Sequence, residues 1–463
     1  MKKILLSIKK NQAFSWVVGF QLFRFLLLPF VELMPQDAYY YMYSQHLAFS
    51  YYDHPGMIGY MLRLFTEIFG QSVYVMKLTD FTLTSFTIFS FYKLSSLFLS
   101  RQRLWKSMVL LTSTVFISIL SFNSTPDVPL ILFWTLSIIC LYKAVFEEKK
   151  WYWIFGGIAM GLAFNSKYTA LLLQFGMLFF LFFSNKHRKL LISPWLWTSF
   201  LISLAVAFPV WWWNYHNEFA SFIFQSSERT NIIGKFEIKP TFFLGAIGLQ
   251  IVLLIPVLFY VLIILLFKYI KKALLKFSLP TEKILFLFAF FIPTFTGFLI
   301  ISPIYWIKLN WMLPSYITGV IIAGIFISKR LLKIQIIVSI IFHIAIATQL
   351  IFYLIPIKSD DTFVGWKELS IEIEKLQKRY PNTFIFSADS YKTSAALSFY
   401  LPKKVYAKNI IGLPALQFEY LGDDLSKLNT KNALYIDSDK EFKNSFKRGQ
   451  ILPVELKNYF TKI

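Results

Sequence analysis

Charge is scarce in this sequence, and so is cysteine. Asp, Glu, Lys and Arg make up 16% of the 463 residues, against roughly a quarter in ordinary soluble domains. A soluble fold has nowhere to hide the 56% that is hydrophobic, whereas a bilayer accommodates it in spans of about 20 apolar residues. The one cysteine, Cys140, lies inside an apolar stretch, which excludes an intrachain disulfide and any cysteine metal centre. No internal repeat is evident. The net charge of +22 would suit a nucleic-acid binder, but its placement argues otherwise. Lys and Arg gather in short clusters between apolar stretches: Lys2, Lys3, Lys9 and Lys10; Arg101, Arg103 and Lys106; Lys186, Arg188 and Lys189; Lys268 to Lys283; Lys329, Arg330 and Lys333. Clusters in alternate loops are the signature of membrane topology.

The apolar stretches run at roughly 13–33, 72–99, 107–121, 128–146, 153–165, 168–184, 194–213, 241–267, 284–302, 311–327 and 335–356, which predicts about eleven spans. The first has a basic flank but no small-residue cleavage site, and reads as an uncleaved span. Residues 153–184 are too long for one crossing and short for two. Two short helices meeting at the polar corner Asn165-Ser166-Lys167 are expected there. With the basic loops cytoplasmic, an odd count places the C-terminal part outside the cytoplasm. The fold class predicted is therefore a polytopic α-helical membrane protein, 1–356, followed by an extracytoplasmic α/β domain, 357–463. In the latter, helices are expected near 364–380 and 391–400, and strands at Thr383–Ser387, near Val405 and at Ala433–Ile436. It has no phosphate-binding glycine loop.

On the outer face, the first loop (34–71) carries two amphipathic segments, 37–49 and 56–70, suited to lie along the interface. Asp37 follows the first span and is flanked by Tyr39–Tyr41. Such a carboxylate can act as general base toward an incoming hydroxyl or amine, though an Asp there also serves as a helix N-cap. Asp53-His54-Pro55 could hold a metal or share a proton; a turn ahead of a helix is the plainer alternative. Asp127, in Thr125-Pro126-Asp127, can likewise cap the next helix. Lys167, in the middle of about 30 apolar residues, is costly unless paired, and its natural partner is a phosphate or one of these acids. Arg63, Arg229 and Lys308 are further outer-face cations, each able to hold a phosphate oxygen or to anchor at the interface. His216 is assigned no role.

The run MPQDAYYYMYSQHLAFSYYDHPGMIGYMLRLFTEIFG (34–70) resembles the first external loop of the bacterial protein O-mannosyltransferase-like family. That is glycosyltransferase family 39, with its aminoarabinose-transferase relatives, in the GT-C superfamily. TPDVPL (125–130), NSKYTALLL (165–173), WNYHNEFASFIFQ (213–225), LNWMLPSY (309–316), GWKEL (365–369) and SADSYKTSAALSFYLP (387–402) are similar to further family segments. The resemblance runs nearly end to end. It implies that Asp37 lies at a catalytic acidic pair, that Asp127 is a second active-site acid, and that Lys167 contacts the donor phosphate. Tyr40, Asp53, His54, Arg63 and Arg229 join Lys167 as expected substrate-binding residues. Two departures stand out. The first acid of the pair is Gln36, and the second Pro of the closing motif is Gly56. A divalent metal ion occurs in some relatives, and the ligand set here is incomplete.

The function this implies is transfer of a sugar from a polyprenyl-phosphate donor to an envelope acceptor (lipid A, a glycan or a protein). Inversion at the anomeric carbon is expected, since one base with direct displacement inverts. The expected location is the outer side of a bacterial inner membrane, with membrane lipid and no nucleic acid as partner. The rivals are a transporter or flippase, which would show inverted repeats and broken midplane helices, and a non-catalytic homologue, which Gln36 keeps open.

Overall fold

In the computed structural model, residues 12–228, 237–356, 361–387, 391–407 and 415–436 are described. Each of the eleven apolar stretches is helical, but few are single straight rods. Helix α1 (Gln12–Leu27) leads by a 3₁₀ turn (Leu28–Phe30) into the first loop, which holds α2 (Pro35–Gln45) and α3 (Met57–Phe69). Then follow α4 (Val73–Phe98), α5 (Arg101–Thr112), α6 (Val115–Phe122), α7 (Asp127–Phe146), α8 (Trp151–Phe164) and α9 (Leu172–Phe183). Beyond these come α10 (Pro194–Val206), α11 (Phe208–His216), α12 (Pro240–Leu254), α13 (Pro256–Lys276), α14 (Glu282–Ile301), α15 (Leu313–Phe326) and α16 (Lys329–Phe352).

By length and composition, four helices among the described residues can cross a bilayer unaided: Gln12–Phe30, α7, α14 and α16. The count is seven if each bent pair is one span, the pairs being α5 with α6 (58°), α10 with α11 (49°) and α12 with α13 (116°). The remaining stretches are α4, which is long but carries Lys77 and Asp80, and three shorter apolar helices, Trp151–Phe164, Tyr168–Phe183 and Leu313–Phe326. Large apolar side chains such as Leu26, Phe89, Leu201 and Ile341 point outward, as lipid-facing residues do. This is a multi-pass membrane protein.

A bent span frees backbone groups that cannot be left unpaired in hydrocarbon. Buried side chains take them up. Arg24, without exposure, donates from Nη2 to the carbonyls of Thr112 (2.5 Å) and Thr114 (3.3 Å) at the α5–α6 break. Ser339 donates to the Ser113 carbonyl at 2.5 Å. Gln335 serves both bends: it reaches Ser113 Oγ (3.2 Å) on one, and on the other donates to the Leu254 carbonyl (3.0 Å) while accepting from Leu258 N–H (3.1 Å). Elsewhere small residues allow close approach. A Cβ on Gly161 would stand 2.5 Å from that of Val206, so α8 and α10 pack backbone against backbone.

The polar corner is as expected. Helix α8 ends at Phe164, and Asn165-Ser166-Lys167 turn the chain into the 3₁₀ turn Tyr168–Leu171 and α9. In the C-terminal part lie α17 (Trp366–Arg379), β1 (Phe384–Ser387), α18 (Tyr391–Tyr400), β2 (Val405–Ala407) and β3 (Ala433–Ile436), close to the sequence reading. The three strands form a parallel sheet in the order β2-β1-β3. Ile373, Ile385, Leu397, Leu401 and Val405 make a small core of their own. Ala395, Ala407, Leu416 and Phe418 instead join the large core of the helical bundle, because α18 lies on α2. There Phe399 meets Tyr41 with centroids 5.1 Å apart, and Tyr391 meets Tyr39 at 4.5 Å.

Candidate active site

A cavity of about 530 Å³ opens where the first loop, the α6–α7 connection, the 302–312 segment and the C-terminal part converge. Its lining mixes polar side chains, Gln36, Asn123, Thr125, Asp127 and Asn310, with the apolar Ile119, Leu120, Leu249, Leu309 and Leu313. Lys308 and Trp306 stand on the bundle side, and Asp361, Tyr391 and Lys392 on the side of the C-terminal part. Lys392 and Asp361 pair at 2.9 Å.

Asp127 is the first residue of α7, where a carboxylate complements the helix dipole. Three hydrogen bonds from two donors orient it. Lys167 Nζ bonds both carboxylate oxygens, Oδ1 at 2.8 Å and Oδ2 at 2.9 Å, and Asn310 Nδ2 donates to Oδ2 at 2.6 Å. The polar corner thus delivers Lys167 to an acid, one of the two partners expected of it, and both side chains are nearly inaccessible. Charge-assisted bonds in such surroundings fix geometry firmly. A carboxylate offers about four lone-pair sites, so Asp127 keeps one for a ligand in the cavity it lines.

Asp37 is placed differently. It is without exposure and does not line the cavity. It is the third residue of α2 and accepts from the Met34 backbone N–H at 2.9 Å; Met34 is the N-cap, so Asp37 caps from the third helical position and not from the N-cap position expected of it. It also accepts from Ser124 N–H at 2.7 Å and pairs with Lys77 of α4. Lys77 in turn donates to the Phe122 carbonyl at 2.6 Å. Ser124 Oγ bonds Asp80 at 2.7 Å. Asp37 therefore ties α2, α4 and the α6–α7 connection together, and it is not among the residues that line the cavity. Its neighbour Gln36 faces the cavity instead, with Nε2 3.4 Å from the Tyr391 hydroxyl.

Asp53 is buried beneath the first loop, accepting from the hydroxyls of Tyr39 and Tyr43 at 2.5 Å each. Its backbone carbonyl accepts from Gln225. Tyr40 is buried beside this group, its ring 6.2 Å from that of His54. Burial, and then the charge of Asp53, push the hydroxyls of Tyr39 and Tyr40 well above the ordinary tyrosine range. Burial raises Tyr391 to about 12. These phenols stay protonated and can act only as neutral hydrogen-bonding groups. The C-terminal part closes over them: Gln417 N–H donates to Tyr39 Oη at 3.1 Å, and its side chain accepts from Tyr52 N–H at 2.8 Å.

One expected phosphate ligand lies away from the cavity. Arg63, on α3, is 40% exposed, pairs with Glu67 one turn on, and reaches the Ser44 carbonyl at 3.3 Å. Arg229 lies outside the described residues. Among the described residues no group of three or more His, Cys, Asp or Glu side chains could hold a metal ion. Asp37, Asp53 and Asp127 are separately committed to a lysine, two phenols and a second lysine, so the acids present do not fit a divalent ion.

Sequence reasoning singled out Lys167 as a cation inside an apolar stretch. The same argument applied to 72–99 finds Lys77 and Asp80, which it passed over. It marked the segments that hold Asn310 and Lys392 as family-like without singling out either residue, and gave no signal for Asp361; all three reach the site only through tertiary folding.

Residues 53–213 match the family model described as dolichyl-phosphate-mannose-protein mannosyltransferase. The chain is 25% identical over 207 residues to the lipid A galacturonosyltransferase RgtD of Rhizobium johnstonii, an alignment covering 44% of this chain and 43% of that protein. It therefore spans under half the length of that relative. In structure it is similar to ArnT from Cupriavidus metallidurans bound to undecaprenyl phosphate, with a TM-score of 0.61, 14% identity and 85% of both chains covered. It is also similar to the archaeal oligosaccharyltransferase AglB from Archaeoglobus fulgidus, in complex with an inhibitory peptide and a dolichol-phosphate. There the TM-score is 0.54 at 12% identity, covering 87% of this chain and 65% of that one. At such identities these two matches establish the shared fold.

Proposed function

The chain is a relative of the GT-C glycosyltransferases, and on that premise we propose that it moves a sugar from a polyprenyl-phosphate carrier to an envelope acceptor: lipid A, another glycan or a protein. The observation that carries this reading is Asp127, an oriented carboxylate on the wall of a cavity lined by both polar and apolar side chains. A donor that is part sugar and part lipid presents both kinds of surface.

In the proposed reaction the acceptor O–H or N–H stands against Asp127. Its oxygen or nitrogen attacks the anomeric carbon from the face opposite the phosphate, and its proton passes to the carboxylate. The bond from that carbon to the phosphate oxygen breaks, and polyprenyl phosphate leaves with the electron pair. A single displacement inverts the centre. Lys308 and Lys392 lie where the departing phosphate needs positive charge. Lys167 acts by positioning Asp127. The basic clusters lie in loops at the other ends of the helices, so we place the cavity and the C-terminal α/β domain on the extracytoplasmic side of a bacterial inner membrane.

The test is sugar transfer by the purified protein from a polyprenyl-phosphate-linked sugar to lipid A or an envelope glycoprotein. Asp127→Asn is expected to lower turnover per folded molecule by roughly 10²–10⁴, the usual worth of a general base, beyond the loss of stability that stranding Lys167 brings. Full turnover in that variant would remove Asp127 from the reaction. A non-catalytic homologue is the second reading, favoured by the amide of Gln36 on the cavity wall, and it predicts no transfer by the wild type. A transporter has less support: the helices do break, at the bent pairs and at 165–167, but the sequence carries no inverted repeat to relate those breaks.

A further inference from the structure

A second cavity, of about 380 Å³, lies at the far end of the bundle between the start of α1, α5 and the first turns of α16. Its lining divides sharply. Lys329 and Lys333 stand at the mouth, one turn apart on the same face of α16, with Gln12 opposite. Below them Trp16, Val109, Ile336 and Ile340 make an apolar trough. No Asp or Glu is among the lining residues, and both lysines are exposed. The same helices that end at the candidate active site begin here, so the two cavities are a helix length apart.

From the lysine pair and the trough beneath it we infer a binding site for one anionic phospholipid. The phosphate of the headgroup sits between Lys329 and Lys333, and one acyl chain runs down the trough. The dimensions agree. From Lys329 to Ile340 is eleven residues, about 16 Å at 1.5 Å per residue, which is roughly one leaflet of a 30 Å hydrocarbon core. Charge decides the class of lipid. Two lysines without a carboxylate among the lining residues favour a headgroup with net negative charge over a zwitterion, at about 1 kcal/mol for each lysine near the surface. Basic pockets between transmembrane helices recognise anionic headgroups by this combination of charge and groove. The trough matters equally, because lysines on a flat surface would attract a diffuse layer of anionic lipid and hold no single molecule.

The experiment is native mass spectrometry of the full chain in detergent, titrated in separate arms with phosphatidylglycerol and with phosphatidylcholine. The wild type is expected to retain one phosphatidylglycerol at concentrations where phosphatidylcholine is lost. Lys329→Ala with Lys333→Ala is expected to weaken that binding on the order of 30-fold, two lysines' worth. Ile336→Trp, which fills the trough and keeps both charges, is expected to abolish it. Lys271→Ala with Lys272→Ala on α13, lysines outside the lining, should leave it unchanged. Equal retention of the two lipids would overturn the inference, as would undiminished binding by the lysine variant or by Ile336→Trp. So would uptake only after residues 1–11 are deleted, or a dimer in detergent that excludes lipid, since either would assign the trough to another occupant.

Discussion

Lys167→Met is the perturbation whose magnitude follows most directly from the geometry. Lys167 and Asp127 are 6% and 1% exposed, so solvent does little to screen them. Met keeps most of the length and apolar bulk of the lysine stem and removes its charge. Asp127 is then left with Asn310 as its only side-chain donor, and a carboxylate has lost two of its three bonds where water cannot replace them. Breaking one side of a buried pair costs about 3–5 kcal/mol, chiefly as the penalty of the stranded charge. For a chain this long each kcal/mol moves the midpoint by about 1 °C, so a fall of roughly 3–5 °C is expected. Cys140 is the sole thiol and is half-buried, so a thiol-reactive dye reports unfolding from one place. Lys167→Met with Asp127→Leu removes both charges and should be more stable than Lys167→Met alone, a non-additivity diagnostic of direct coupling. Lys149→Ala, which disrupts an exposed pair with Glu147, is the control and should show no resolved shift. If Lys167→Met melts like that control, or if the double variant is the sum of its parts, the clamp on Asp127 is not what holds this corner.

Two further outcomes separate architecture from chemistry. Asp37→Asn strands Lys77 in the bundle and should lower stability by about 3–5 kcal/mol, with turnover per folded molecule kept within a few-fold; Lys77→Met with Asp37→Leu should recover much of the loss, and a pure loss of turnover at wild-type melting temperature would return Asp37 to the reaction. Tyr391 bears on pH: burial raises its hydroxyl to about 12, against about 10 in the unfolded chain. The unfolded state therefore releases its proton first. The stability contributed by the neutral phenol is whole below pH 10 and is lost as pH rises from 10 to 12, and the melting temperature of Tyr391→Phe should fall less steeply across that window.

How much was legible in advance depended on whether a feature is local. Hydropathy runs located every helical stretch, because about 20 apolar residues in a row have few other uses. They gave no warning that α12 and α13 meet at 116°, since that bend rests on Gln335 arriving from a distant helix to bond Leu254 and Leu258. Lys167 was conspicuous because a lone charge in hydrocarbon demands a partner, and the demand was met by Asp127. Asn310 and Lys392 carry ordinary loop and helix polarity and become site residues only by docking. Arg63 misled for the opposite reason. Its type suited a phosphate, but on α3 it falls on the exposed face, where Glu67 is within reach.

The first loop carries an acid where the resemblance implies chemistry, and the geometry gives that acid a structural task. Asp37 holds Ser124 through the backbone N–H, and Ser124 lies three residues ahead of Asp127. Lys77 holds Asp37 from α4 and the Phe122 carbonyl from α6. Two buried ions thus fix the α6–α7 connection at both ends, and with it the start of α7 that aims Asp127 into the cavity. Had Asp37 faced the cavity, the same residue would have had to exchange protons and keep an ion pair with Lys77 intact, and protonation would loosen the connection at each turnover. Dividing the tasks avoids that conflict: the inner acid keeps its ion pair with Lys77, Gln36 offers an uncharged amide to the cavity, and Asp127 is left as the carboxylate that the bundle itself presents to a ligand. A substitution at Gln36 should consequently alter what the cavity binds, whereas one at Asp37 should alter whether the cavity is built.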